Sequence, residues 1–190
     1  RTLARTLPTD HALFVGNSMP IRDVDMYAGN GGADVPVAAN RGASGIDGVL
    51  ATAIGYAAGL QRPTTLVIGD LSLLHDLNSL SLLRPGAPPV TIVVINNEGG
   101  GIFHLLPIAG YDHLFEPYFG TPHAWRFTPI AAAFGLATAQ PTTAAELTAA
   151  LQTAYAGQQH TLIELHTERN ANADLHRTLQ AAVRSALAAA

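Results

Sequence analysis

Two stretches decide the fold. One reads Leu66-Val67-Ile68-Gly69-Asp70-Leu71-Ser72; the other, after a helical stretch, reads Val90-Thr91-Ile92-Val93-Val94-Ile95-Asn96-Asn97-Glu98-Gly99-Gly100. Each is a short apolar run that ends in an oxygen-bearing side chain near glycine. Their unbroken apolar character suits strands buried on both faces of a parallel sheet. In such a sheet both ends open on one edge, where open α/β sheets bind ligands. One carboxylate (Asp70), one carboxamide oxygen (Asn97) and a nearby backbone carbonyl make a hard-cation set suited to Mg2+, which keeps its other positions for water and phosphate. The plainer alternative is a strand-end turn and a helix cap, roles that Asp and Asn both favour.

Working outward, six apolar runs of strand length alternate with helical patterns. The strands are expected at Ala12–Gly16, Val35–Ala39, Thr64–Ile68, Val90–Ile95, Leu136–Ala139 and Thr161–Leu165. The helices are expected at Ile21–Tyr27, Ile46–Leu60, Ser72–Leu83, Thr128–Phe134, Ala144–Ala156 and Asp174–Ala189. Leu73, Leu74, Leu77, Leu80 and Leu83 form an apolar stripe at helical spacing. The alternation predicts an α/β fold: a doubly wound, mostly parallel six-stranded sheet with helices on both faces and right-handed crossovers. Pro107–Trp125 breaks the rhythm, being rich in Pro, Gly, His and aromatics, and reads as a lid, binding loop or interface segment.

Composition narrows the function classes. At 190 residues one domain is the expectation, and 48% hydrophobic against 13% charged residues excludes disorder. A net charge of −4 with no basic cluster argues against a nucleic-acid surface. All ten basic residues are arginine, which argues against a Walker A loop and a Schiff-base lysine. The absence of cysteine removes disulfides, thiolate metal sites and a cysteine nucleophile, and fits a cytoplasmic protein. No apolar run has the roughly 20 residues needed to span a bilayer. The first residue is Arg1, and the chain reads as a fragment of a longer protein.

Gly69-Asp70 followed by Asn96-Asn97 resembles the thiamine diphosphate-binding motif, Gly-Asp-Gly, then a spacer, then Asn or Asn-Asn. Leu71 stands where the general pattern has glycine. That departure resembles one branch, the 2-succinyl-5-enolpyruvyl-6-hydroxy-3-cyclohexene-1-carboxylate synthases of menaquinone biosynthesis. Three further stretches look like that branch: Asn17-Ser18-Met19-Pro20-Ile21-Arg22, Asn40-Arg41-Gly42-Ala43-Ser44-Gly45-Ile46-Asp47-Gly48, and Gly101-Ile102-Phe103. The resemblance runs over essentially the whole chain, as the C-terminal diphosphate-binding domain of a larger multidomain enzyme.

The resemblance implies the following roles. Asp70, the Asn97 side chain and the Gly99 carbonyl would hold Mg2+, or Mn2+ in its place. Gly69, Leu71 and Ser72 would meet the diphosphate, the last two opening a helix with free N–H groups. The Arg41–Gly48 stretch would lie over the aminopyrimidine. Ser44 would contact the cofactor there, and Ile46 would wedge it into its bent form. Arg41 suits a substrate carboxylate, since an arginine fork matches one with two hydrogen bonds. Ser18 and Arg22 would line the substrate pocket, with Ile102, Phe103 and Leu106 as a dry wall and Ile102 also against the cofactor. The whole enzyme would decarboxylate 2-oxoglutarate and add the succinyl carbanion equivalent to isochorismate. No catalytic residue is assigned to this domain: the activating glutamate belongs to a separate pyrimidine-binding domain, normally on a partner subunit. A homodimer or homotetramer follows, and the isolated domain is expected to be inactive.

Plainer readings stand beside these. Asn17 or Ser18 would cap a helix with Pro20 in its first turn, and Ser44 or Asp47 would cap the next. Arg22 in a first turn opposes the helix dipole, less so if an anion sits there. His75, His104, His113 and His123 read as surface or hydrogen-bonded groups, the remaining charges as solvated surface, and Glu164 receives no role. Other readings of the whole chain are an acetohydroxyacid synthase or 2-oxoacid decarboxylase type of enzyme, or a non-catalytic doubly wound binding module.

Overall fold

A computed structural model describes residues 1–42 and 45–188. The chain divides into two compact units, one of residues 1–96 and 125–166, the other of residues 97–124 and 167–190.

The first unit is a six-stranded sheet. Its strands are β1 (Ala12–Val15), β2 (Val37–Ala39), β3 (Thr64–Gly69), β4 (Val90–Asn96), β5 (Ala137–Ala139) and β6 (Thr161–His166). All pairings are parallel, in the order β2-β1-β3-β4-β6-β5. The expected doubly wound sheet is present, each strand within two residues of its expected bounds. The order reverses between β1 and β3, the switch point at which ligands sit outside the strand ends in such sheets.

Side-chain alternation along the strands builds a core on each face. Phe14, Leu66, Ile68, Ile92, Val94 and Leu162 pack on one face with helices α3 (Val49–Leu60) and α6 (Phe127–Ala133). Leu13, Val15 and Val67 pack on the other with α2 (Met19–Tyr27). Val93 and Ile163 continue that face under α7 (Ala144–Ala156) and Leu3 of the short α1 (Thr2–Thr6). The structure thus explains why β1, β3 and β4 read as near-continuous apolar runs: both of their faces are covered.

The expected helix Ser72–Leu83 is two pieces. The short α4 (Asp70–His75) stops at Asp76, and a 3-10 segment, Leu77–Leu82, follows. Asp76 leaves the helical conformation because its carboxylate is used elsewhere. One oxygen accepts the Ala51 N–H at 2.9 Å, in the first turn of α3, and the other accepts the Ser79 hydroxyl at 2.6 Å. Of the two caps expected for α3, Ser44 and Asp47, the first lies outside the described residues. That helix starts at Val49 rather than Ile46, and its N-cap residue is Gly48, which gives no side-chain cap bond. Asp76 supplies from across the structure the acceptor that a local side chain would ordinarily give.

The second unit holds a 3-10 turn (Gly101–Leu105), another at Pro107–Gly110, α5 (Asp112–Phe115), a π-type turn (Glu116–Gly120) and the long α8 (Arg169–Ala188). The segment expected as an irregular loop is a string of short helical turns, and the last helix begins five residues before its expected start. Among the described residues no helix is long and apolar enough to cross a membrane.

Asp76→Ala removes an acceptor from a buried helix start. It is expected to destabilise the protein by about 1–2 kcal/mol in urea unfolding. Asn78→Ala, whose exposed position shares none of those bonds, is expected to change stability little.

Candidate functional site

The sheet unit carries one set of expected site residues along the C-terminal edge of its strands. The Gly16 N–H extends the ladder to the Val67 carbonyl at 2.8 Å. Asn17 and Ser18 therefore leave β1 beside the end of β3. Asn17 is buried; its Nδ2 donates to the Gly45 carbonyl at 2.6 Å, and its Oδ1 has no partner. Ser18 has φ +69° and ψ −126°, a conformation that costs a non-glycine residue strain. It occupies the N-cap position of α2 but makes no side-chain cap bond, so the expected cap is absent. Arg22 is exposed, and its guanidinium donates to the Ser18 carbonyl at 2.5 Å. That bond fixes its direction back toward the strand end.

Asp70 is buried at the tip of β3, and one of its oxygens accepts the Leu71 N–H at 2.8 Å. Ser72 is buried in the same turn, and Gly69 and Leu71 are half-buried. Gly69 stands in register with Ile95, so Asn96 is the β4 residue that ends level with Asp70. Arg41 and Ile46 are both exposed, Ile46 at 37%. Ser44 lies outside the described residues.

The second unit carries the other set. The chain turns sharply after Asn97, with positive φ at Glu98 (+58°) and Gly99 (+146°). A side chain at Gly99 would collide with the Gly120 carbonyl, so only glycine fits. The Gly100 N–H donates to that carbonyl at 2.7 Å, and the Gly99 carbonyl accepts from the Gly101 N–H at 3.0 Å. The Asn97 Oδ1 is buried and has no hydrogen-bond partner. Ile102 and Phe103 are half-buried, with Phe103 edge-on to Phe119 at 5.6 Å, while Leu106 is 50% exposed.

Arg169 corrects the reading of the remaining charges as surface. Its side chain is 14% exposed, its Nη2 pairs with Glu116 at 2.9 Å, and its Nη1 is buried without a partner. His104 departs likewise from a surface or satisfied role. It is buried, edge-on to Phe115 at 4.5 Å, and its Nδ1 has no partner. Burial and the Arg169 cation hold its pKa below the ordinary histidine range, so it is neutral at pH 7.

Glu164, to which the sequence reading gives no role, holds a network of hydrogen bonds. It is fully buried on the α6 face of β6. One oxygen accepts from Asn96 Nδ2 at 2.8 Å and stands 3.4 Å from His166 Nε2. The other accepts the Phe127 and Thr128 N–H groups at 3.0 and 3.1 Å, and Gln140 Nε2 at 3.2 Å. Burial alone would push this carboxyl up; the donors from Asn96, Thr128, Gln140 and Phe127 outweigh it and hold the pKa below the ordinary glutamate range. The one signal in the sequence was an acidic residue inside an otherwise apolar strand, Thr161-Leu162-Ile163-Glu164-Leu165.

Whether these residues suit a hard cation can be asked of their atoms. Asn97 presents an orphaned, buried oxygen, a state that costs free energy unless a cation or donor reaches it. Asp70 carries a buried carboxylate, and carboxylate and amide oxygens are the hard donors that Mg2+ takes. Taken singly, each residue fits that ion.

Residues 36–165 match the family described as thiamine pyrophosphate enzyme, C-terminal TPP binding domain. The chain belongs to this family. The domain is similar to the 2-succinyl-5-enolpyruvyl-6-hydroxy-3-cyclohexene-1-carboxylate synthase of Rubrobacter xylanophilus, at 57% identity over 94% of this chain and 31% of that protein. The synthases of Chlorobium chlorochromatii (51% identity, 95% of this chain, 31% of the relative) and Salinibacter ruber (47%, 97%, 31%) are also similar. The chain thus spans 31% of the length of these relatives. An X-ray structure of a candidate thiamin diphosphate-dependent enzyme from Mycobacterium smegmatis shares the fold. Its TM-score is 0.70 over 88% of this chain and 30% of that one, at 22% identity.

Ser18→Gly is expected to relieve backbone strain and raise stability by about 1 kcal/mol, read as an increase in Tm, whereas Ser18→Ala keeps the strain and leaves Tm unchanged. Because the Glu164 pKa is depressed in the fold, its contribution to stability is complete above the ordinary glutamate value. It is lost as pH falls through the folded value. The stability gap between the parent protein and Glu164→Gln should therefore be constant near neutrality and close progressively below about pH 4 in denaturant titrations.

Proposed function

We propose that this chain is the diphosphate-binding domain of a longer 2-succinyl-5-enolpyruvyl-6-hydroxy-3-cyclohexene-1-carboxylate synthase. That enzyme decarboxylates 2-oxoglutarate and adds the four-carbon unit to isochorismate. The observation that carries the reading is the similarity to such a synthase, 57% identical over 94% of the chain.

In this reading Asp70, the Asn97 Oδ1 and the Gly99 carbonyl hold Mg2+, or Mn2+, and Gly69, Leu71 and Ser72 meet the diphosphate. Bound thiamine diphosphate supplies the electron sink for decarboxylation. The chain's own residues orient and desolvate. Ile46 and Ser44 would hold the aminopyrimidine side, Ile46 as its bulky apolar support, and a cofactor so held would meet a lower entropic part of the barrier. Arg41, Arg22 and Ser18 bind the anionic substrates. Arg22 already points toward the strand end through its bond to the Ser18 carbonyl. Ile102, Phe103 and Leu106 keep water from the reacting carbon. The activating carboxylate comes from a separate domain, so the working enzyme is a cytoplasmic homodimer or homotetramer and residues 1–190 alone are inactive.

The test uses the full-length protein that contains this domain. Coupled consumption of 2-oxoglutarate and isochorismate is expected to require both Mg2+ and thiamine diphosphate, and to be lost in Asp70→Ala without a fall in Tm. Cofactor-dependent decarboxylation of a different 2-oxoacid would move the protein to another branch of the family. No turnover of any 2-oxoacid would overturn the reading.

A further inference from the structure

Residues 97–124 form an excursion from the sheet unit, which the chain leaves at Asn96 and rejoins at Trp125. Both points of departure meet one polar cluster. Asn96 Nδ2 donates to the Trp125 carbonyl at 3.0 Å and to Glu164 at 2.8 Å, and the other Glu164 oxygen takes the Phe127 and Thr128 N–H groups. Exit and return are therefore tied to each other directly, and both to a single carboxylate on β6. Asn96 and Glu164 are each fully buried.

A buried carboxylate is an expensive way to fasten a strand. Its charge is held by the donors from Asn96, Thr128, Gln140 and Phe127, with the His166 imidazole 3.4 Å away, and an apolar side chain at this place would continue the core. What an apolar side chain could not do is hold two chain ends in one geometry. The carboxylate has two oxygens at fixed separation; one serves the exit, the other the return. The excursion so fastened carries Asn97, Gly99, Ile102, Phe103 and Leu106, and Asn97 is the next residue after the clamped Asn96.

We propose that Glu164, through Asn96, is a positioning residue for the excursion 97–124. It fixes the base from which Asn97 and Gly99 present their oxygens. This rests on the cation-binding role given above to those two residues. The consecutive asparagines then divide the work: Asn96 turns into the core and anchors, and Asn97 presents an unpartnered oxygen.

Glu164→Gln tests this with almost no change of volume, since the amide puts a donor where one of the two sets of donors is now accepted. Asn96→Leu unties the exit and leaves the Glu164 bonds to Phe127 and Thr128 in place, so it serves if the first variant folds poorly. Both are made in the full-length protein. Hydrogen exchange read peptide by peptide is expected to quicken roughly tenfold or more within residues 97–124 while β1 and β3 keep their protection. The Mg2+ concentration needed for thiamine diphosphate binding, followed by calorimetry, should rise roughly 10- to 100-fold, as for outer-shell partners of metal ligands, and saturating Mg2+ should restore binding. Unchanged exchange in 97–124 in both variants would overturn the proposal, as would a rise spread evenly over the sheet. Asp70→Ala is the control. If it leaves the Mg2+ requirement unaltered, the cation assignment fails, and the exchange data still decide the clamp.

Discussion

The parallel register of β3 and β4 is the constraint from which the rest follows. Thr64 pairs with Val90 and Gly69 with Ile95, a ladder without a bulge. Because the strands run the same way, their last residues emerge on one edge. A shift of one residue would send every side chain to the opposite face and would part Asp70 from the level of Asn96. The register is held by two buried faces: Leu66, Ile68, Ile92 and Val94 cannot exchange places with Val67 and Val93 without emptying one core and overfilling the other.

On that scaffold the informative residues are polar groups in apolar surroundings, and each is accounted for differently. Asp76 spends its carboxylate on the start of α3 and so ends α4. Glu164 spends its own on the start of α6 and on Asn96. Both reach helix N-termini, where free N–H groups and the helix dipole favour a negative charge. The Asn97 Oδ1 differs, because no protein group answers it. Asn17 Oδ1, His104 Nδ1 and Arg169 Nη1 are buried without a partner as well, and each such atom costs free energy that its surroundings must offset. The backbone of Ser18, at φ +69°, is a further cost, at the end of β1.

The second unit shows how a segment poor in periodic pattern acquires order. Phe119 packs on both Phe103 and Phe115, and Arg169 reaches Glu116, while Arg177 donates to the His104 carbonyl. The two arginine contacts join residues more than 50 positions apart in the chain. No window of sequence contains them, which is why the helical turns between Pro107 and Gly120 were not legible beforehand.

What the sequence determined by itself was whatever depends on local pattern: six apolar runs at strand length, the intervening helices, and the glycine-flanked Asp70 and Asn97. Burial on both faces leaves its mark on every residue of a strand, so it can be read along the chain. The family, too, was legible from those motifs. Only the tertiary structure decided the partners of buried polar atoms. It assigned Asp76 to the start of α3, Glu164 to both ends of the excursion, and no protein partner to the Asn97 oxygen. A hydrogen bond between distant residues is a matter of distance and angle in space. Sequence records that a carboxylate is present, and folding alone determines which donors come within 3 Å of it.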